Sequence, residues 1–218
     1  MQVRYEKGLV HKPKGGAQGY EVLGIGVAEI VLDQATKQLE AKRSDTVLFA
    51  ASEPRFGSVS TMLENDYVYL YGQIPGGCQI ALARVPKLLA QNAYAYERWD
   101  GSSWSTNRDT KPVPMFSDCP QGAILRSKLF GPSRPYIFVG VSKYGDSKIR
   151  VGSAPTPQGP WDVRAVAQAK GINYTKGFTY CIYPHEWAIQ DGTCSLLVSW
   201  SEQFPGGVVA GKLCFQTS

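Results

Sequence analysis

The sequence predicts an all-β protein made of short antiparallel strands, and three observations carry that prediction. Glycine and proline account for 23 and 14 of the 218 residues and aromatics for 11%, a mixture that suits many strands joined by tight turns and disfavours long helices. Apolar runs are brief and β-branched, as in Asp45-Thr-Val-Leu-Phe-Ala-Ala51. The central part of the chain repeats itself at an interval of about 55 to 65 residues. A helix bundle or coiled coil is excluded on these grounds.

In chain order, residues 1–19, with Lys12-Pro13-Lys14-Gly15-Gly16, lack a hydrophobic period and predict a mobile N-terminal arm. Residues 20–218 read as one domain. Gly24 to Asp33 and Asp45 to Ala51 predict two strands. The first full copy of the repeat has strands at Gly57–Leu63, Asp66–Tyr71, Gln79–Pro86 and Tyr94–Trp104, with a turn at Pro75-Gly76-Gly77. The second runs through Gly122–Lys128, Pro135–Val141, Lys148–Ala154 and Gly159-Pro-Trp161-Asp-Val-Arg164, so that Trp161 matches Trp104. The third comprises Thr179–Tyr183, Ser195–Trp200 and Val208–Phe215.

Copies of this length, each a four-stranded antiparallel meander, have the pattern of β-propeller blades, because such a sheet is apolar on both faces and must stack on its neighbours. Counting residues 20–51 as a partial blade, the chain holds about three to four blades. A β-sandwich is the competing architecture, but it does not explain the matched tryptophans.

Composition narrows the function classes. The net charge of +5 is spread evenly, which speaks against a nucleic-acid partner. The longest apolar stretches fall short of the roughly 20 residues that cross a bilayer, and the N-terminus lacks a signal h-region. A soluble, unexported chain without a membrane partner is expected. Five cysteines, at 78, 119, 181, 194 and 214, and two histidines, His11 and His185, contain no C-x-x-C pair, so no metal framework is expected. A Cys194–Cys214 disulfide and buried free thiols are the two readings of the cysteines. The sequon Asn173-Tyr174-Thr175 would accept a glycan only on a secreted chain. Phosphate-binding loops, a G-x-S-x-G elbow and a Cys–His pair are missing from the sequence, which removes nucleotide, serine-hydrolase and thiol chemistry. No cofactor is expected. A calcium ion in a propeller channel is compatible with the fold, although no dense Asp cluster demands one.

The strings Tyr67-Val-Tyr-Leu-Tyr-Gly, Ile80-Ala-Leu-Ala-Arg-Val-Pro, Tyr94-Ala-Tyr-Glu-Arg-Trp-Asp-Gly-Ser-Ser-Trp, Ala154-Pro-Thr-Pro-Gln-Gly-Pro-Trp and Ser199-Trp-Ser-Glu resemble the family known as domain of unknown function 4185. The resemblance extends over residues 22–216. It implies a five-bladed propeller similar to glycoside hydrolases, some bacterial members being endo-D-arabinanases, and a polysaccharide or oligosaccharide ligand. It also implies that family members are often secreted. The last copy, with its corner Tyr183–Trp187, looks like a fungal-type branch. Members of that family are longer, and the blade that supplies an essential carboxylate would lie upstream of Met1. The chain is therefore expected to be a fragment or a shortened homologue whose exposed blade edges invite self-association.

Glycoside hydrolysis needs one protonated and one ionised carboxyl group, about 5 to 9.5 Å apart. Glu53, in Ser52-Glu53-Pro54-Arg55-Phe56 before the first full copy, is the leading candidate, with Arg55 to hold it ionised or orient a hydroxyl. A blade-to-blade salt bridge is its competing role. Glu186 is the second candidate, beside His185 as an orienting group, in the corner Tyr183-Pro184-His185-Glu186-Trp187. There Tyr183 and Trp187 offer flat faces for sugar stacking, against the plainer role of His185 as a satisfied structural residue. Participation of His185 would make ligand affinity change between about pH 5 and 8. Glu29 interrupts an apolar strand and faces either the channel or solvent. Glu202 is expected further from the axis, and Glu97 and Asp100 to be solvated on an outer strand. Two functions follow: a hydrolase acting on an arabinan-type or related polysaccharide, or a glycan- or protein-binding propeller without turnover that uses Tyr183, Trp187 and Phe56 as its platform.

Overall fold

The computed structural model describes residues 3–13, 20–119, 121–142, 146–170, 179–188, 194–202 and 206–215, with side chains from residue 23 onward. The sequon Asn173 to Thr175 and the turn residues Tyr144, Gly145 and Pro205 lie outside the described residues. Among the described residues the regular structure is β-strand, with short 3-10 turns and no α-helix.

Four sheets follow one another along the chain, each a meander in which sequence neighbours are sheet neighbours. The first holds β1 (Val3–Pro13), β2 (Tyr20–Leu32) and β3 (Leu39–Ala50). The second holds β4 (Arg55–Glu64), β5 (Tyr67–Gln73), β6 (Ile80–Pro86), β7 (Glu97–Trp99) and β8 (Trp104–Ser105). The third comprises β9 (Gln121–Arg126), β10 (Tyr136–Val141), β11 (Lys148–Ala154) and β12 (Asp162–Gln168), and the fourth β13 (Thr179–Pro184), β14 (Ser195–Glu202) and β15 (Gly207–Cys214).

Two expectations need correcting. The described part of the predicted N-terminal arm is strand β1, paired with β2 from Val3↔Val31 to Pro13↔Tyr20. A segment that borrows its hydrogen bonds from a long partner strand does not need a hydrophobic period of its own. The predicted strand Tyr94–Trp104 is divided into β7 and β8, which makes the second sheet five-stranded. Asp100 causes the break: its Oδ1 accepts from the Ser102 and Ser103 amides at 2.8 and 2.7 Å, an Asx turn that competes with continued strand.

Packing divides the chain into two compact units. One comprises Met1–Ser58, Leu63–Gly77 and Ala81–Val113, the other Val59–Met62, Cys78–Ile80 and Pro114–Ser218. In the first unit, Ile25, Val27, Leu48 and Phe49 of β2 and β3 pack with Phe56, Leu70, Ala83, Val85 and Tyr96. The Phe49 ring meets those of Phe56 and Tyr96 edge-on, each with centroids 5.0 Å apart. Buried side chains of this size each stabilise by about 1.5 to 3 kcal/mol.

The core of the second unit is built around β10, whose six residues are all buried. Ile137, Val139 and Val141 pack with Ile149 and Val151 of β11 and with Ile182, Leu196, Val198 and Trp200 from the fourth sheet. On the opposite face, Phe138 lies against Phe116, and Phe116 against Trp161, at 5.0 and 5.6 Å. Glycine is required at position 140 because a Cβ there would lie 2.5 Å from the Phe138 ring.

All five thiols are free, and only that of Cys119 is buried; Cys78 and Cys194 are half-buried, and Cys181 and Cys214 are exposed. Cys194 and Cys214 form no disulfide; the Phe215 amide donates to the Cys194 carbonyl at 2.7 Å at this end of the fourth sheet.

Candidate functional site

The second unit gathers four of the sequence-predicted residues at one corner. Between Tyr180↔Ser201 and Tyr183↔Ser199, strand β13 spends three steps on two of β14. A bulge of this kind re-aims the side chains that follow it. Cys181 takes the left-handed conformation at φ 54° within the bulge, and its amide is satisfied by Gln121 Oε1 at 3.2 Å. Pro184 then ends the strand. The His185 amide donates to the Leu197 carbonyl at 2.9 Å, and the Ala188 amide to that of His185 at 3.1 Å, closing a 3-10 turn at Glu186–Ala188.

This backbone displays a row of three rings. Tyr183 is 56% exposed and Trp187 81%. The His185 ring stands between them, 5.9 Å from Tyr183 and 5.7 Å from Trp187 by centroid. Its Nε2 lies 2.8 Å from Ser199 Oγ, which fixes the ring plane. Two solvent-facing aromatics with a polar ring between them can stack on the apolar faces of sugars while hydrogen-bonding their edges. Glu186, exposed on the same turn, opens onto a cavity of about 560 Å³ that Arg126, Ser127, Lys128, Gly131, Pro132 and Pro135 also line. Among the described lining residues it is the one carboxylate.

Glu53 belongs to the first unit and is occupied. Arg98 pairs with its Oε1, Arg108 reaches Oε2 at 3.0 Å, and the Ala50 amide donates to Oε2 at 2.6 Å. Burial raises its pKa, but the Ala50 amide and the two guanidiniums outweigh that and hold it below the ordinary value. The partners of the Glu53 carboxylate are Arg98 and Arg108 in place of the expected Arg55. Arg55 is half-buried on β4, with Nε buried and without a hydrogen-bond partner.

Phe56 is fully buried in the first unit's core, so it is no binding platform; its contacts with Phe49 are made by a residue that its polar neighbours in the sequence do not betray. Glu29 sits half-buried on β2 opposite Lys42 of β3. Glu202 is buried. Glu97 pairs with Arg84 at 2.6 Å, and the Arg84 guanidinium lies 4.4 and 4.1 Å from the centroids of Tyr67 and Trp104. Asp100 serves its turn. Sequence reasoning missed Arg126, Lys128 and Ser199. The period-two spacing of Arg126 and Lys128 at a strand end was the available signal, whereas Ser199 becomes visible only through the pairing of β13 with β14.

The model of DUF5005, a domain of unknown function, matches residues 3–207. The chain belongs to the DUF5005 family. This is the family that matches, in place of domain of unknown function 4185. Over 92% of its length this DUF5005 chain superposes on 55% of a Bacteroides ovatus protein provisionally described as a hydrolase, with a TM-score of 0.60 and 17% identity. It thus spans about half of that structure. A thermostable family-43 glycoside hydrolase matches at 14% identity over 89% of this chain and 69% of that one, with a TM-score of 0.48. A Bacteroides ovatus protein described as Xyloglucan PUL GH43B matches at 13% over 87% and 34%, with a TM-score of 0.49. At 17% identity the likeness to the Bacteroides ovatus protein is one of fold alone. No curated protein matches the chain.

Among the described residues, no helix is long and apolar enough to cross a membrane, and no group of three or more His, Cys, Asp or Glu is placed to hold a metal ion.

Proposed function

We propose that this DUF5005 chain is a carbohydrate-binding protein whose successive meander sheets are propeller blades, and that it binds a polysaccharide or oligosaccharide at the Tyr183–Trp187 corner. The exposed row of Tyr183, His185 and Trp187 carries this reading. Large aromatic faces left in solvent cost hydration free energy that a stacked sugar recovers, and neither ring is needed by the core of its unit.

Turnover is the second reading, and Glu186 is the observation that favours it: an exposed carboxylate beside a histidine, opening onto a cavity. Hydrolysis would require another carboxyl group within about 5 to 9.5 Å. Glu53, engaged by two arginines and an amide, is poorly suited to that role, so binding without turnover is preferred. An arabinan-type substrate belongs to the hydrolase reading.

Incubation with plant, fungal and mycobacterial polysaccharides tests both. Saturable binding without products supports the binding reading, whereas oligosaccharide release that is abolished by Glu186→Gln replaces it with the hydrolase. Release that persists in Glu53→Gln excludes Glu53 from the chemistry.

A further inference from the structure

We propose that the row Tyr183, His185 and Trp187 takes an internal stretch of a single, extended and twisted glycan chain, one sugar unit to each ring. A free monosaccharide and the flat face of a crystalline polysaccharide are the ligands it would refuse. This rests on the carbohydrate reading above and deepens it by naming the class of ligand. The rings are spaced like the units of a chain. Consecutive centroids lie 5.9 and 5.7 Å apart, and each step is about the advance of one pyranose unit along a chain joined through equatorial bonds. A coiled, axially linked chain advances less per unit and falls out of step with the row.

The ring planes exclude a flat ligand. His185 is turned 69° from Tyr183 and 60° from Trp187, so no one plane touches all three faces. Chains packed in a crystal present their sugar faces in one plane and would meet the rings one at a time. A free chain that rotates about its axis from unit to unit presents its faces in turn and follows the tilt of the row. Both outer rings are exposed, an open arrangement that suits the interior of a chain.

The row is set before any ligand arrives. Ser199 of β14 lies opposite Tyr183 in the strand pair, and the Oγ of the same residue holds His185 Nε2 at 2.8 Å. The His185 amide donates to the Leu197 carbonyl at 2.9 Å, and the Ala188 amide closes the turn that carries Trp187. Rings fixed in this way spare the ligand the cost of ordering them, and tyrosine and tryptophan have few rotatable bonds to freeze. With Nε2 engaged, Nδ1 is the nitrogen left to a sugar hydroxyl; among the described residues nothing bonds to it. Ser199 is thereby the positioning residue for the middle unit.

The test is calorimetric titration of the full chain with cello-, xylo-, manno- and chito-oligosaccharides from one to six units, beside malto- and arabino-oligosaccharides and sedimentation with microcrystalline cellulose and chitin. In at least one equatorially linked series, affinity should rise about tenfold or more per added unit until each ring has its own sugar, and then level off. Trp187→Ala should abolish the gain from disaccharide to trisaccharide. Ser199→Ala should weaken trisaccharide binding about threefold to tenfold, the worth of one hydrogen bond, and Ser199→Thr should restore most of it; unchanged affinity in Ser199→Ala removes the middle contact from the proposal. A monosaccharide bound as tightly as the trisaccharide, a preference for the crystalline solids, or binding confined to the malto- or arabino-series overturns the chain assignment and leaves the carbohydrate reading intact. Binding of no saccharide overturns both. The length series needs only the unaltered protein, so a variant that fails to fold does not decide the matter.

Discussion

The carboxylate of Glu53 pairs with the guanidinium of Arg98, a residue 45 positions further along the chain, with their side chains only 16% and 5% exposed. Glu53→Gln should therefore act on the fold. Loss of one partner from a pair this buried is expected to cost about 3 kcal/mol of stability, read as a lowered denaturant midpoint, with glycan binding at the Tyr183–Trp187 corner unchanged in the folded protein.

The same pair sets an acid dependence. Because the folded pKa of Glu53 lies below its ordinary value of 4.5, its stabilisation is present above that value and is lost as pH falls through the folded one. Stability measured from pH 6 down to pH 3 should fall more steeply in the native protein than in Glu53→Gln. Parallel profiles would show that the pair contributes nothing to acid sensitivity.

Arg84 offers a separate test of aromatic packing. Its guanidinium lies over both Tyr67 and Trp104 and pairs with Glu97. Lysine cannot reproduce a planar group against two rings, so Arg84→Lys should lose about 1 to 2 kcal/mol despite keeping the charge. A melting curve superimposable on the native one would remove the rings from the account.

Much of the fold was legible because its strands are written locally. Tyr136-Ile-Phe-Val-Gly-Val141 announces a strand buried on both faces by its unbroken apolar run, and β10 is that strand. The break at Asp100 was hidden by the repeat, which aligned residues 94–104 with a single strand although the Asp-Gly-Ser-Ser sequence already favours a turn. The corner Tyr183–Trp187 stood out by its density of rings in five residues. The burial of Phe56 and the ion pairs of Glu53 were not legible for one physical reason: their partners Phe49, Tyr96, Arg98 and Arg108 approach through tertiary packing that local sequence does not encode.

The thiols should separate by reactivity. Burial pushes the Cys119 thiol up to about 12, with Arg150 opposing the shift, and reaction proceeds through the thiolate. At pH 8 a soluble alkylating reagent should modify exposed Cys181 and Cys214 in the folded protein and Cys119 only after denaturation, as peptide mass mapping would read. Rapid labelling of Cys119 under native conditions would contradict its burial.

Trp187→Ala bears most directly on the proposal that sugars are bound at the ring row of the second unit. Trp187 is 81% exposed, so its removal should change folding stability by no more than about 0.5 kcal/mol. Calorimetric titration of an oligosaccharide that binds the native chain should then show affinity reduced by about 1 to 3 kcal/mol, the worth of one large side chain withdrawn from water. Undiminished affinity in a folded Trp187→Ala protein would contradict the account.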